Sequence, residues 1–291
     1  MRRTVTCLLA ATLALSLLAA CGSDDDDKAA SSSDNGTELK VTVTEIGDQV
    51  KLDVPDSIEG GVVNLTFTNS GEAPHSLQVV KVASDTTTAE VIAFLANDEE
   101  GGPVPAFISE GGGIGTVAPG QTGTSSFKLS AGKHVVWDDE TGGPDDKNNG
   151  TRGGIAELDV KGVGTGDLPA AVGTITAKEY EFTVQNLKAG DTTVRFENTG
   201  QEFHHFIAAP MAEGKTLDDV KAFFAAQGQG EGPPPVDFEK SVGGPVMGGG
   251  NAVVEDLTLQ AGDYAIVCFI NDRTGGPPHF TLGMLQKVTV A

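Results

Sequence analysis

Most of this 291-residue chain is written twice, and that constrains its fold more than any other feature. NLTFTNSGEAPHSLQVV at 64–80 aligns with TVRFENTGQEFHHFIAA at 193–209, so that Phe67 matches Phe196, Asn69 matches Asn198, Gly71 matches Gly200 and His75 matches His204. KLSAGKHVVW at 128–137 then aligns with TLQAGDYAIV at 258–267, and TGGP at 141–144 recurs at 274–277. Order and spacing persist over a period of about 130 residues, far longer than the unit of a solenoid. Two domain-sized copies are therefore expected, at 38–161 and 173–291, joined by a Gly- and Pro-bearing linker at 162–172.

Within each copy the apolar residues fall in short alternating runs bounded by Gly, Asn and Pro, the pattern of half-buried strands. Runs at 62–68, 127–129, 134–137 and 155–160 predict strands in the first copy. Those at 174–176, 192–197, 205–209, 252–259, 264–269 and 284–290 predict strands in the second. One helix interrupts each copy, at 88–95 and after Thr216, where Thr216 and Asp219 have the spacing of a capping box. The 39 glycines weigh against a helical bundle, and the Gly-rich stretches 110–115 and 243–250 read as loops. The expectation is an all-β chain of two tandem Greek-key β-sandwiches, each with one short helix. A formal net charge of −22 excludes nucleic acid as a partner, because a polyanion would be repelled.

The first 20 residues have a signal-peptide layout, a basic start at Arg2 and Arg3 followed by an uncharged apolar run. The run ends Leu18-Ala19-Ala20-Cys21, which resembles the lipobox of bacterial lipoproteins; that resemblance implies cleavage before Cys21 and lipidation of its side chain. Residues 21–37 are polar and small, and read as a solvated tether. The chain is thus expected outside the cytoplasm, anchored to a bacterial membrane through Cys21. Cys7 leaves with the leader and Cys21 is lipidated, so Cys268 is the only remaining cysteine and no disulfide forms within one mature molecule. A lone thiol in an oxidising compartment is either a buried apolar residue or a metal ligand.

The second copy ends Tyr264-Ala-Ile-Val-Cys268, then ten residues, then His279-Phe-Thr-Leu-Gly283-Met284, and Asn198 precedes His204 by six. This order is similar to that of the cupredoxins, the blue-copper electron carriers. The resemblance implies one type 1 copper held by His204, Cys268, His279 and Met284, with His205 as a supporting side chain beside it. A thiolate and two neutral imidazoles suit both copper oxidation states, and a weak thioether tunes the potential. Singly, a buried cysteine, a core methionine and strand-end histidines are commonplace; it is their joint order that carries the reading. The first copy has Asp138, Gly150 and Ile155 as expected counterparts of Cys268, His279 and Met284, which leaves His75 alone and no copper. His134 and Trp137 are expected to pack.

The function implied is one-electron transfer at the membrane surface, with a redox protein such as a cytochrome as partner; the alternative is a copper carrier, store or sensor. The chain is not expected to be an enzyme. Copper oxidases and nitrite reductases of this family place a His beside the Cys, whereas Val267 and Phe269 flank Cys268 and the chain has five histidines. No phosphate loop or catalytic triad is present in the sequence.

Overall fold

A computed structural model describes residues 36–97, 102–143, 145–226 and 232–291. The leader, Cys21 and the tether up to residue 35 lie outside the described residues. In the first copy the strands are β1 (Thr37–Ile46), β2 (Gln49–Asp53), β3 (Ser57–Glu59), β4 (Gly61–Asn69), β5 (His75–Val82), β6 (Ile108–Val117), β7 (Thr122–Leu129) and β8 (Gly132–Trp137). A small hairpin, β9 (Thr141–Gly142) and β10 (Lys147–Asn148), precedes β11 (Ile155–Lys161). The second copy has β12 (Gly173–Lys178), β13 (Glu181–Gln185), β14 (Gly190–Asn198), β15 (His204–Pro210), β16 (Val242–Met247), β17 (Ala252–Leu259), β18 (Gly262–Val267) and β19 (Leu285–Val290). Residues 162–172 carry neither strand nor helix.

Alternation decides which face each strand buries. In β4, Val63, Leu65 and Phe67 are buried while Asn64, Thr66 and Thr68 point toward the wet side. Helices α1 (Thr88–Ala96) and α2 (Leu217–Ala225) follow β5 and β15, and each starts with a complete capping box, Thr87 with Glu90 and Thr216 with Asp219. Val91 and Val220 are their buried anchors.

The sheets show how the copies join. One eight-stranded sheet has the order β13-β12-β14-β17-β7-β4-β1-β2, so both copies contribute four strands and meet where β17 pairs antiparallel with β7. Facing it are a five-stranded sheet from the first copy, β3-β11-β8-β5-β6, and a four-stranded sheet from the second, β16-β15-β18-β19. The architecture is all-β, with cupredoxin-like sandwich layers. Equivalent elements meet across the junction, β7 with β17 and β6 with β16, as in the self-complementary contact of a twofold dimer. The main apolar core spans both copies, from Val41, Phe67 and Phe127 through Phe196, Phe206 and Met247 to Cys268 and Met284, and a smaller cluster lies under each helix, around Val91 and Val220.

Of the Gly-rich stretches expected as loops, only 248–250 lie outside the strands. Residues 110–115 lie in β6 and 243–247 in β16. Glycine there serves close approach: a Cβ on Gly115 would stand 1.8 Å from the Gly243 carbonyl oxygen, and one on Gly111 2.2 Å from that of Val246. Gln78 spans the same seam like a short piece of backbone. Its Oε1 accepts the Val246 N–H at 2.8 Å, and its Nε2 donates to the carbonyls of Val246 and Gly112, both at 3.0 Å.

Candidate metal centre

His204 opens β15 and is delivered by a turn that Asn198 braces. The Asn198 amide donates to the carbonyls of Glu202 at 2.7 Å and Met247 at 2.8 Å, while its oxygen accepts the Gly200 N–H. Asn69 does the same before His75, donating to Ala73 and Val117 and accepting from Gly71. Cys268 follows β18, and His279 opens a single helical turn, α3 (His279–Leu282). Backbone hydrogen bonds lock this loop to itself. Cys268 N–H donates to the Met284 carbonyl, Phe280 N–H to that of Cys268, His279 N–H to that of Ile270, and Met284 N–H to that of His279.

Three of the expected ligands converge. Cys268 Sγ lies 3.9 Å from His204 Nδ1 and 3.7 Å from His279 Nδ1, and the two nitrogens are 3.1 Å apart. All three side chains are buried, and they form the only cluster of three such donors among the described residues. Donors about 2.0 to 2.3 Å from a common centre show separations of this size when they surround it in an open, nearly trigonal arrangement. Met284 is fully buried, with its backbone tied to both Cys268 and His279. His205 stands beside the cluster and outside it: its Nε2 accepts the Phe269 N–H at 2.9 Å, which steadies the residue following Cys268. Phe269 and Phe280, each next to an expected ligand in sequence, pack on each other and on Phe224 of α2, which ties the loop to the helix.

Burial holds these three groups in their uncharged forms. Burial, and then the neighbouring imidazole of His279, push the His204 pKa down to about 3. Burial also depresses that of His279, with Asp272 opposing. Both rings are therefore neutral, as ligation requires. Desolvation pushes the Cys268 thiol up to about 12, and backbone N–H groups of His205 and Ile270 hold back part of that rise. Ligation by the thiolate would release its proton. Nothing in the described chain partners the buried Nε2 of His204, whereas His279 Nε2 meets Asp272 Oδ1 at 3.0 Å.

The first copy has the same backbone with other chemistry. Asp138 N–H donates to the Gly154 carbonyl and Gly150 N–H to that of Asp138; Asn149 N–H donates to Glu140, and Gly154 N–H to Asn149. These bonds reproduce those of Cys268, Phe280, His279 and Met284. The counterpart of His279 is thus Asn149, not Gly150, and that of Met284 is Gly154, not Ile155; the expected register was one residue off. His75 Nδ1 lies 2.5 Å from Asp138 Oδ2, which also accepts from Asn149 Nδ2 at 2.9 Å. A closed polar triad occupies the place that His204, Cys268 and His279 hold in the second copy. His134 and Trp137 are buried, and the Trp137 ring N–H donates to Asp139.

Two neighbours of the cluster escaped the sequence reading. Asp272 sits in the Cys–His loop, and Tyr180, on the turn between β12 and β13, donates its hydroxyl to Asp272. No local pattern marks either one.

The layered sheets, the Asn-braced histidine and the Cys–His loop define a cupredoxin-like fold, and solved structures of this kind are its neighbours. An auracyanin from Roseiflexus castenholzii is 20% identical over 42% of this chain and 97% of its own, with a TM-score of 0.28. A multicopper oxidase is 14% identical over 87% and 88%, with a TM-score of 0.26. The copper nitrite reductase of Nitrosomonas europaea is 15% identical over 87% and 94%, with a TM-score of 0.24. No protein-family model and no curated protein matches the sequence. The neighbours correct the expectation of a chain without enzymatic activity, since an oxidase and a nitrite reductase are enzymes. The residues flanking Cys268 bear on a second copper beside it and not on catalysis by such a fold at large.

Proposed function

We propose that this chain passes single electrons through one type 1 copper held in its second copy, at the outer face of a bacterial membrane to which lipidated Cys21 anchors it. The observation that carries this reading is the convergence of His204 Nδ1, Cys268 Sγ and His279 Nδ1 in a buried, self-locked loop. Copper bound there would supply a one-electron couple. The chain holds two neutral imidazoles and a thiol in place and offers the Met284 thioether as a weak fourth donor. Backbone hydrogen bonds between the ligand residues resist rearrangement when the charge changes. The three donor side chains are fully buried, which keeps bulk water away. A redox protein such as a cytochrome is the proposed partner, and the net charge of −22 favours a basic one.

The test is the visible spectrum of the purified protein with added Cu(II), beside Cys268→Ser. An intense thiolate-to-copper band that the variant lacks is the expected result. A wild-type protein that binds copper without the band, or a band indifferent to Cys268, overturns the electron-transfer reading and favours a copper carrier or store.

A further inference from the structure

We infer that Asp272, clamped by Tyr180, is the positioning residue for His279: it fixes the ring with its Nε2 protonated and its Nδ1 lone pair turned into the cluster, and it biases bound copper toward the oxidised state. The inference rests on the copper reading above and names what sets the behaviour of that site.

Three contacts form a chain. The Tyr180 hydroxyl lies 2.8 Å from Asp272 Oδ1 and 3.0 Å from Oδ2, within reach of both oxygens. Asp272 Oδ1 lies 3.0 Å from His279 Nε2. His279 is fully buried while the Asp272 side chain is 26% exposed, so the carboxylate sits between the ring and solvent. A carboxylate only accepts, so the His279 proton lies on Nε2 and the ring meets Cys268 and His204 with a bare Nδ1. A carboxylate on the far N–H also makes a ligating imidazole more basic, and the more basic ligand stabilises the higher charge.

The phenol is placed at a conformational cost. Tyr180 has φ of +59°, the left-handed region that side chains with a Cβ avoid. Its ring meets that of His279 edge-on at 5.3 Å. Its carbonyl oxygen would stand 2.7 Å from a Cβ on Gly283, the residue before Met284. The β12–β13 turn thus packs on the ligand loop at both His279 and Gly283. In the first copy, where Asn149 replaces His279, the side chain at that place bonds inward to Asp138.

Asp272→Asn and Tyr180→Phe test this with two readouts. In the metal-free protein, imidazole nitrogen shifts are expected to report one His279 tautomer, Nε2–H, in the wild type and its loss in Asp272→Asn. In the copper-loaded protein, a spectroscopic redox titration is expected to show Asp272→Asn weakening Cu(II) relative to Cu(I) about tenfold, a rise of about 59 mV. Tyr180→Phe, which keeps the charge and removes the clamp, is expected to shift the potential in the same direction by less. An unchanged tautomer and an unchanged potential in both variants, beside an intact thiolate band, overturn the inference alone. A wild type without that band overturns the copper reading and the inference with it.

Discussion

Glu255 is a carboxyl group buried at the seam between the copies, and replacing it with Gln tests how that seam responds to pH. The residue lies on β17, only 1% exposed, and its Oε1 accepts the Gly115 N–H at 2.9 Å. Burial pushes its pKa from the ordinary 4.5 to about 8; the Gly115 hydrogen bond opposes the rise and the adjacent Asp256 adds to it. Below pH 4.5 the group is protonated in both folded and unfolded chains and costs nothing. Between pH 4.5 and 8 only the folded chain keeps the proton, so stability falls as pH rises, and above pH 8 the loss is complete. At about 1.36 kcal/mol per pH unit, the full loss is about 5 kcal/mol, of which about 3 is already present at pH 7. Glu255→Gln keeps an oxygen for Gly115 and never ionises. Urea unfolding of both proteins across this range should show the variant gaining on the wild type by about 3 to 4 kcal/mol from pH 5 to pH 8. Taking the difference cancels every other titrating group. A difference that stays flat within about 1 kcal/mol would show that Glu255 ionises freely in the folded state and that the seam admits water.

Gln78→Leu leaves the Val246 N–H and carbonyl without their partner in a buried seam, and a loss of about 2 to 4 kcal/mol in unfolding free energy is expected; a loss below about 1 kcal/mol would mean that the edges of β6 and β16 re-pair without it. Gly115→Ala forces a methyl into the Gly243 carbonyl, backbone against backbone, so neither side can swing away. Overpacking of this kind costs roughly 3 kcal/mol, or a fall of about 6 to 12 °C in the melting midpoint for a domain of this size. An unchanged midpoint would show that the two sheets are free to separate there.

Much of the fold and of the site was legible beforehand, because some information is local in the chain. Alternation marked β4, β14 and β17, since period-two burial leaves a period-two trace in sequence. Thr216 and Asp219 announced α2, as a cap is made by residues three apart. Cys268, His279 and Met284 lie on one strand, loop and turn, and the duplicated Asn-Gly turn pointed to His204.

Other features are set by neighbours that the sequence keeps far apart. Glycines carry no side chain to alternate, so β6 and β16 looked like loops until their backbones were seen pressed together. An acidic residue reads as solvated, and only the fusion of β7 with β17 and the packing of β6 over them enclose Glu255. Asp272 and Tyr180 are separated by 92 positions, and no spacing rule joins a turn to a loop across the end of a sandwich. Sequence alone determined the duplicated β scaffold and the residue types able to hold a soft metal. Tertiary structure alone decided which donors meet, what braces them, and how two copies become one sheet, because such contacts depend on distance in space and leave no period in the chain.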